Sequence, residues 1–153
     1  MVEESRDLRT IVSFQAHFGY ASPEGMPAGA AMADFLESEL NARGLLVDAR
    51  RNTEDSHVFH VISGSRRFGL LLGLIEDDER EWLILTYSRL GRVRRIFGAR
   101  DDDEYTAMAA VIHEVLCADE RISDVRWYTE QSWHENPLDD WVGRPFETNS
   151  DYN

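Results

Sequence analysis

The hydrophobic pattern is strongest in residues 57–88, HVFHVISGSRRFGLLLGLIEDDEREWLILTYS. Within this stretch, residues 58–62, 68–75 and 82–87 are rich in the aliphatic, aromatic and β-branched side chains that strands favour. The sequence SGS separates the first two segments, and an acidic turn at residues 76–81 separates the last two. Because such short connections usually join neighbours in space, we predict three consecutive antiparallel strands at the centre of a sheet.

Alternation along the second of these strands predicts two different faces. Phe68, Leu70, Leu72 and Leu74 point one way, and Gly69, Leu71, Gly73 and Ile75 point the other. Two glycines on one face leave room for another group to approach the backbone closely. A ligand is one candidate for that room, but helix packing is the simpler prediction because a helix must cover at least one face of the sheet.

Before this centre we predict a strand over residues 11–18, a helix over residues 27–43 and a short strand over residues 45–49. The first strand alternates, with Val12, Phe14, Ala16 and Phe18 on one face. The helix ends at Gly44, which suits a left-handed C-cap, and its Glu39 and Arg43 have the spacing of an ion pair. Its predicted core-facing residues are Ala28, Met32, Phe35, Leu36 and Leu40. The loop before it, GYASPEGMPAGA, is typical of a connector, with a binding loop as the alternative.

After the centre, residues 89–100 contain five arginines around an apolar segment, which predicts a short strand. Nearby acidic runs favour internal salt bridges or a solvated face over a phosphate-binding patch. Residues 101–104, DDDE, then predict the start of the clearest helix, because carboxylates cap helix N-termini. The apolar stripe of this helix is Tyr105, Met108, Ile112, Val115 and Leu116.

The chain closes with a predicted strand over residues 122–128 and an irregular tail over residues 133–153 that is rich in aromatic and acidic residues. The predicted fold is therefore a single α+β domain, residues 1–132, with the tail packed on it. A mostly antiparallel sheet of about five to six strands packs against two main helices.

Composition excludes several classes of protein. The 153 residues suit one domain, and 29 acidic against 16 basic residues give a formal charge of −13, which opposes binding to nucleic acid. No segment is long and apolar enough for a membrane span, and the N-terminus does not resemble an export signal. The single cysteine, Cys117, excludes an internal disulfide and is predicted to be a buried structural thiol. We therefore expect a cytoplasmic protein.

No motif for catalysis or cofactor binding is present. The chain lacks a Walker loop, a GxGxxG fingerprint, a nucleophile elbow and HExxH. His57 and His60 are three residues apart on a strand, so their side chains leave opposite faces and cannot easily share one metal. The acidic run at residues 101–103 is a candidate for a hard cation, but helix capping accounts for it. We predict no enzyme activity, no catalytic residue, no metal and no cofactor.

The segments VSFQAHFGY, EWLILTYSRLGRVRRIFG, EYTAMAAVIHEVL and RWYTEQSW, followed by a tryptophan-rich acidic tail, carry a family resemblance. The order of elements and the acidity resemble the small immunity proteins that bacteria encode beside polymorphic and contact-dependent growth inhibition toxins. The resemblance implies a cytosolic antitoxin that binds one toxin domain, for example a nuclease, and blocks its active site or substrate path.

Acidic runs and tryptophans are the candidates for contact with a basic partner, because opposite charges speed association and large aromatics anchor interfaces. The candidate partner-binding residues are Asp77, Asp78, Glu79, Trp133, Asp139, Asp140 and Trp141. Acidity that serves solubility alone is an equal alternative. An acidic secretion or assembly chaperone that binds an effector segment is the alternative function. The sequence indicates no oligomeric state.

Overall fold

The computed structural model describes residues 9–18, 24–25, 27–75, 81–88, 99–135, 141–143 and 145. In chain order the elements are β1 (Arg9–Ala16), α1 (Ala30–Ala42), β2 (Leu46–Asn52), β3 (His57–Ser63), β4 (Arg66–Leu74), β5 (Glu81–Ser88), α2 (Ala99–Ala118), β6 (Ile122–Thr129) and α3 (Glu130–Glu135). The predicted short strand within residues 89–98 and the acidic turn at residues 76–80 lie outside the described residues.

The six strands form one antiparallel sheet in the order β2-β3-β4-β5-β1-β6. The predicted central strands are adjacent as β3, β4 and β5, and β1 pairs with both β5 and β6. Short connections explain why β3, β4 and β5 lie side by side, since strands that are neighbours in sequence usually pair in space. The predicted α+β class, the antiparallel sheet and its packing against two long helices are confirmed.

The main core lies between the sheet and the two long helices. Because side chains alternate along a strand, Val12 and Phe14 of β1 and Leu70 and Leu72 of β4 point into this core. All four are fully buried. The predicted stripe of α2 is confirmed, because Tyr105, Met108, Ile112, Val115 and Leu116 are all buried in the same cluster.

Helix α1 begins at Ala30, three residues after the predicted start. Gly29 has φ +92°, so the chain turns sharply there, and Ala28 is exposed outside the helix instead of facing the core. Met32, Leu36 and Leu40 are buried as predicted, whereas Phe35 is only partly buried and stacks on Phe18 with ring centroids 4.8 Å apart. At the other end Gly44 has φ +89°, which confirms the left-handed C-cap.

Three predictions in the second half of the chain are wrong in detail. Helix α2 starts at Ala99, so the acids at residues 101–103 occupy its first turn instead of its cap. Cys117 is exposed because it falls beside the apolar stripe of α2 instead of within it. The tail is not irregular from residue 133, because α3 includes Trp133. A reciprocal cap explains this helix: the Ser132 backbone N–H donates to Thr129 Oγ1, and the Thr129 N–H donates to Ser132 Oγ, both at 3.0 Å.

A cluster of buried hydroxyl groups ties β1, β5 and α2 together. The Tyr105 hydroxyl donates to the Arg9 carbonyl oxygen at 2.7 Å, and the Thr86 hydroxyl donates to the Thr10 carbonyl oxygen at 3.0 Å. The two hydroxyl oxygens lie 2.9 Å apart. Burial raises the pKa of Tyr105 well above its usual range, so this hydroxyl stays protonated and remains a donor.

Candidate interaction surfaces

Of the seven residues predicted to bind a partner, the structure describes Trp133 and Trp141, and both lie beside β6. The Trp133 ring packs edge-on against Tyr128 with centroids 4.9 Å apart and is partly buried. Trp141 is 37% exposed, and the Arg126 guanidinium lies 4.5 Å from its ring centroid. The remaining five residues, Asp77, Asp78, Glu79, Asp139 and Asp140, lie outside the described residues.

The position of Trp141 is fixed by the residue that follows it. The Trp127 N–H donates to the Val142 carbonyl at 2.8 Å, and the Val142 N–H donates back at 3.1 Å. This bridge lies along the outer side of β6. Arg126 pairs with Ser13 and Tyr128 pairs with Ile11, and these two β1 residues lie on the same face of the sheet. Because Trp141 contacts Arg126 and Trp133 contacts Tyr128, both tryptophans lie on that side.

That side is the sheet face opposite α1 and α2, which we call the open face. One cross-strand row runs over all six strands, through Arg51, Val58, Leu71, Leu85, Ile11 and Tyr128. Antiparallel sheets with a solvated face usually carry polar residues there. This row is apolar apart from Arg51 at its β2 end, and its Val58, Ile11 and Tyr128 are buried within the chain, so this part of the face is already covered.

The exposed apolar side chains of the described residues lie on this face or at its margin. Leu46 is 55% exposed and pairs with Ile62, and Tyr87 is 40% exposed and pairs with Gly69. With Trp141, these are the large apolar side chains that the described part of the chain exposes. Such a concentration on one side is typical of an interaction surface.

The glycine face of β4 corrects one prediction. The Tyr87 ring from the adjacent β5 occupies the space where a Gly69 side chain would lie, so the group that approaches this glycine is a cross-strand tyrosine, not a helix. Gly73 is approached instead by Ser56, in the turn before β3. The alternation of β4 is as predicted, and only the nature of the covering group was wrong.

On the helix side, arginines are engaged by acids. Arg50 reaches Asp34 at 2.8 Å and Glu37 at 2.9 Å. Arg43 pairs with Glu39, as the sequence spacing predicted, and approaches Glu114 at 3.6 Å. The Arg50 pairs join β2 to α1, and the Arg43–Glu114 contact joins the end of α1 to α2. The two arginines neutralise only part of the acid on this side.

Arg121 and Asp119 form a second type of ion pair, at the turn before β6. The guanidinium donates to both carboxylate oxygens, at 2.9 Å and 2.8 Å, and these hydrogen bonds hold the pKa of Asp119 at about 2. The same guanidinium lies 4.1 Å from the Phe18 ring centroid. The pair therefore packs the end of β1 against this turn and has a structural role.

Two histidines have defined partners but no catalytic arrangement. His57 is fully buried, with Nδ1 3.2 Å from Asn52 Oδ1 and Nε2 3.0 Å from the Ala28 carbonyl oxygen, and burial lowers its pKa. It lies on the core side, whereas His60 lies on the open face, which confirms that they leave opposite faces. Both partners are oxygen acceptors, so a neutral imidazole can donate to only one of them, whereas burial disfavours the charged form that could donate to both.

His113 accepts a hydrogen bond at Nδ1 from the buried Trp127 indole N–H at 3.1 Å. This bond favours the tautomer that carries its proton on Nε2, the nitrogen 3.6 Å from Cys117 Sγ. In this tautomer Nε2 is a donor toward the thiol sulfur. Among the described residues, no group of three or more His, Cys, Asp or Glu side chains is placed to hold a metal ion.

The SGS turn binds a carboxylate of its own chain. The Ser65 N–H and hydroxyl donate to Glu104 Oε2 at 3.0 Å and 2.9 Å, and the Ser63 hydroxyl donates to the Glu104 carbonyl oxygen at 2.8 Å. Gly64 has φ +63°, and a side chain there would meet the Glu104 carboxylate. The turn between β3 and β4 therefore fastens the sheet to the first part of α2.

Sequence reasoning missed the open face as a candidate surface, including Leu46 and Tyr87. A signal was present, because Leu71, Leu83 and Leu85 occupy alternate positions that a solvated sheet face would fill with polar residues.

No helix in the described part of the chain combines the length and apolar character that crossing a membrane requires. Neither a protein-family model, nor a curated protein, nor a solved structure matches this chain.

Proposed function

We propose that this protein is a cytoplasmic immunity protein that binds and neutralises a cognate bacterial toxin domain and has no turnover of its own. The proposal rests on the excess of acidic over basic side chains. The formal charge is −13, and the described arginines Arg43, Arg50, Arg67 and Arg121 each already have an acidic partner within the chain. The excess negative charge is therefore available to a basic partner.

Trp141 supports the proposal as a contact residue. Its ring is exposed at the surface, and its place is fixed by Arg126 and by the neighbouring backbone bridge. An exposed tryptophan that is already ordered loses little conformational entropy on binding, which favours its use as an anchor. The acids at Asp139 and Asp140 directly precede it in sequence.

The proposal is tested by affinity capture from the native strain, followed by co-expression of this protein with the captured partner. We expect a folded domain with a basic surface, which arrests growth alone and does not when this protein is present. Purified proteins should then show inhibition that is complete at one equivalent. Failure to protect cells, or inhibition below one equivalent through turnover, would contradict an antitoxin that acts by stoichiometric binding.

The apolar open face favours a second candidate, a secretion or assembly chaperone. Leu46 and Tyr87 offer exposed apolar contacts for an unfolded segment. The two functions predict different partners: a chaperone binds a peptide segment of its effector as tightly as the whole effector, whereas an immunity protein loses its target when the toxin domain is unfolded.

A further inference from the structure

We propose that Arg126 determines which partner this protein accepts, by binding a carboxylate side chain of the partner while it lies over Trp141. The inference rests on the proposed function, because it concerns a partner that is attracted by charge. Four described arginines have an acidic partner within the chain, namely Arg43, Arg50, Arg67 and Arg121. The Arg126 guanidinium instead lies 4.5 Å from the centroid of the Trp141 ring, and no carboxylate of the described residues pairs with it.

The position of this guanidinium is fixed from two directions. Arg126 lies within β6 and pairs with Ser13 of β1, and Trp141 is held beside β6 by the backbone bridge between Val142 and Trp127. Contact with a ring face occupies one side of a guanidinium and leaves N–H donors for another acceptor. Trp141 is 37% exposed and Arg126 is only partly buried, so a second protein can reach the pair.

A carboxylate is the acceptor that this group fits best. The planar guanidinium matches the two oxygens of a carboxylate, and a donor that is already held in place loses less entropy when it binds. Arginine binds phosphate equally well, but the formal charge of −13 opposes a nucleic acid as the source of phosphate. The acceptor is therefore an aspartate or glutamate side chain of a protein partner.

A cation at this place gives a selectivity that acidity alone does not give. The excess negative charge attracts basic domains in general. A fixed positive charge within the contact repels a basic surface unless that surface presents an acid at the matching place, and repulsive elements of this kind are a common source of specificity. Among basic domains, Arg126 therefore selects one that places a carboxylate beside Trp141.

Arg51 provides a matched control. It is exposed on β2, at the opposite end of the sheet from β6, and no carboxylate of the described residues pairs with it either. Reversal of either arginine to glutamate changes the formal charge of the chain by the same amount. General attraction to a basic domain would strengthen in both variants, whereas the proposal predicts weaker binding of the partner by Arg126→Glu alone.

Equilibrium binding of the full chain to the captured partner, and to lysozyme as a non-cognate basic protein, tests the proposal. Arg126→Glu should raise the Kd for the partner by about tenfold or more, whereas Arg51→Glu should leave it within about twofold or lower it. For lysozyme neither substitution should raise the Kd, so Arg126→Glu reduces the preference for the partner and Arg51→Glu does not. Arg126→Lys, which keeps the charge, should retain more affinity for the partner than Arg126→Gln.

Fluorine NMR of protein labelled with fluorotryptophan shows whether each variant keeps Trp141 in place, and Trp141→Phe identifies the resonance of this residue. Unchanged or tighter binding of the partner by Arg126→Glu would overturn the proposal. Equal losses in Arg126→Lys and Arg126→Gln, with a displaced Trp141 resonance in both, would show that Arg126 only positions the ring and would equally refute it. Failure of the wild-type protein to neutralise the partner contradicts the proposed function itself, and this inference with it.

Discussion

Substituting Gly29 by alanine should strongly destabilise the fold, because two costs coincide at this position. Its φ of +92° lies in the left-handed region, where an L-residue costs about 1–2 kcal/mol. A Cβ at Gly29 would also overlap the outer ring of Trp82, which is fully buried. Overpacking of this kind costs typically about 1–3 kcal/mol, so we expect Gly29→Ala to lower the free energy of unfolding by about 2–5 kcal/mol.

Gly44→Ala is the matched control. Gly44 has nearly the same φ, +89°, but nothing lies within 4 Å of the position of its Cβ, so only the backbone cost of about 1–2 kcal/mol applies. Urea denaturation of both variants, at equal and low protein concentration, gives the two free energies. The difference between the variants measures the contact with Trp82 separately from the backbone strain.

The Trp82→Phe background gives a further check, because phenylalanine lacks the outer ring atoms that meet position 29. In that background Gly29→Ala should cost about as much as Gly44→Ala, with a coupling energy of about 1–3 kcal/mol in the double-mutant cycle. Equal destabilisation by Gly29→Ala and Gly44→Ala in the wild-type background would refute the packing of Trp82 against this turn.

Four other substitutions test the core and the buried polar groups. Leu72→Ala and Ile112→Ala should each cost about 2–5 kcal/mol in urea denaturation, because each leaves a cavity in a fully buried site, and losses below about 1 kcal/mol at both would show that the buried faces are misplaced. Tyr105→Phe should cost about 1–3 kcal/mol because it leaves the Arg9 carbonyl without its buried donor, and a neutral result would contradict that hydrogen bond. The pKa of His57 is lowered by burial, so its stabilising effect is complete above the unfolded pKa of about 6.5 and is lost as pH falls below it. His57→Gln should remove this component between pH 7.5 and pH 5, and identical pH profiles for the two proteins would contradict it.

Most of the fold could be predicted from the sequence because its strongest signals are periodic. Alternation in residues 68–75 and the helical stripe from Tyr105 to Leu116 depend on local geometry, and both are confirmed. The predicted start of α1 was less accurate because the helix begins after Gly29. The left-handed conformation of Gly29 depends on the Trp82 ring, which packs against it in the folded protein. No pattern in residues 27–30 contains that information.

The candidate surfaces were harder to predict because they depend on which strands become neighbours. The open face exists as a continuous apolar row only once β1 is placed between β5 and β6, which brings Ile11 beside Leu85 and Tyr128. Neither pairing follows from short hairpins. The engagement of Gly69 by Tyr87 likewise requires the β4–β5 register. The prediction that acidic runs bind a partner stays a prediction.

The central claim is tight binding to a basic domain, steered by charge, and association kinetics by surface plasmon resonance test it most directly. The partner is the domain identified by affinity capture. Three proteins are compared with wild type: the triple reversal of Asp77, Asp78 and Glu79 to lysine, a charge-matched reversal of Glu54, Glu120 and Glu135, and Trp141→Ala.

The Debye length falls from about 10 Å at 0.1 M to about 3 Å at 1 M ionic strength, so the wild-type on-rate should fall steeply with salt while the off-rate changes little. Reversal at residues 77–79 should slow association more than the charge-matched control does, and Trp141→Ala should mainly speed dissociation. An on-rate that is independent of salt and unchanged by the reversal at residues 77–79 would contradict the account.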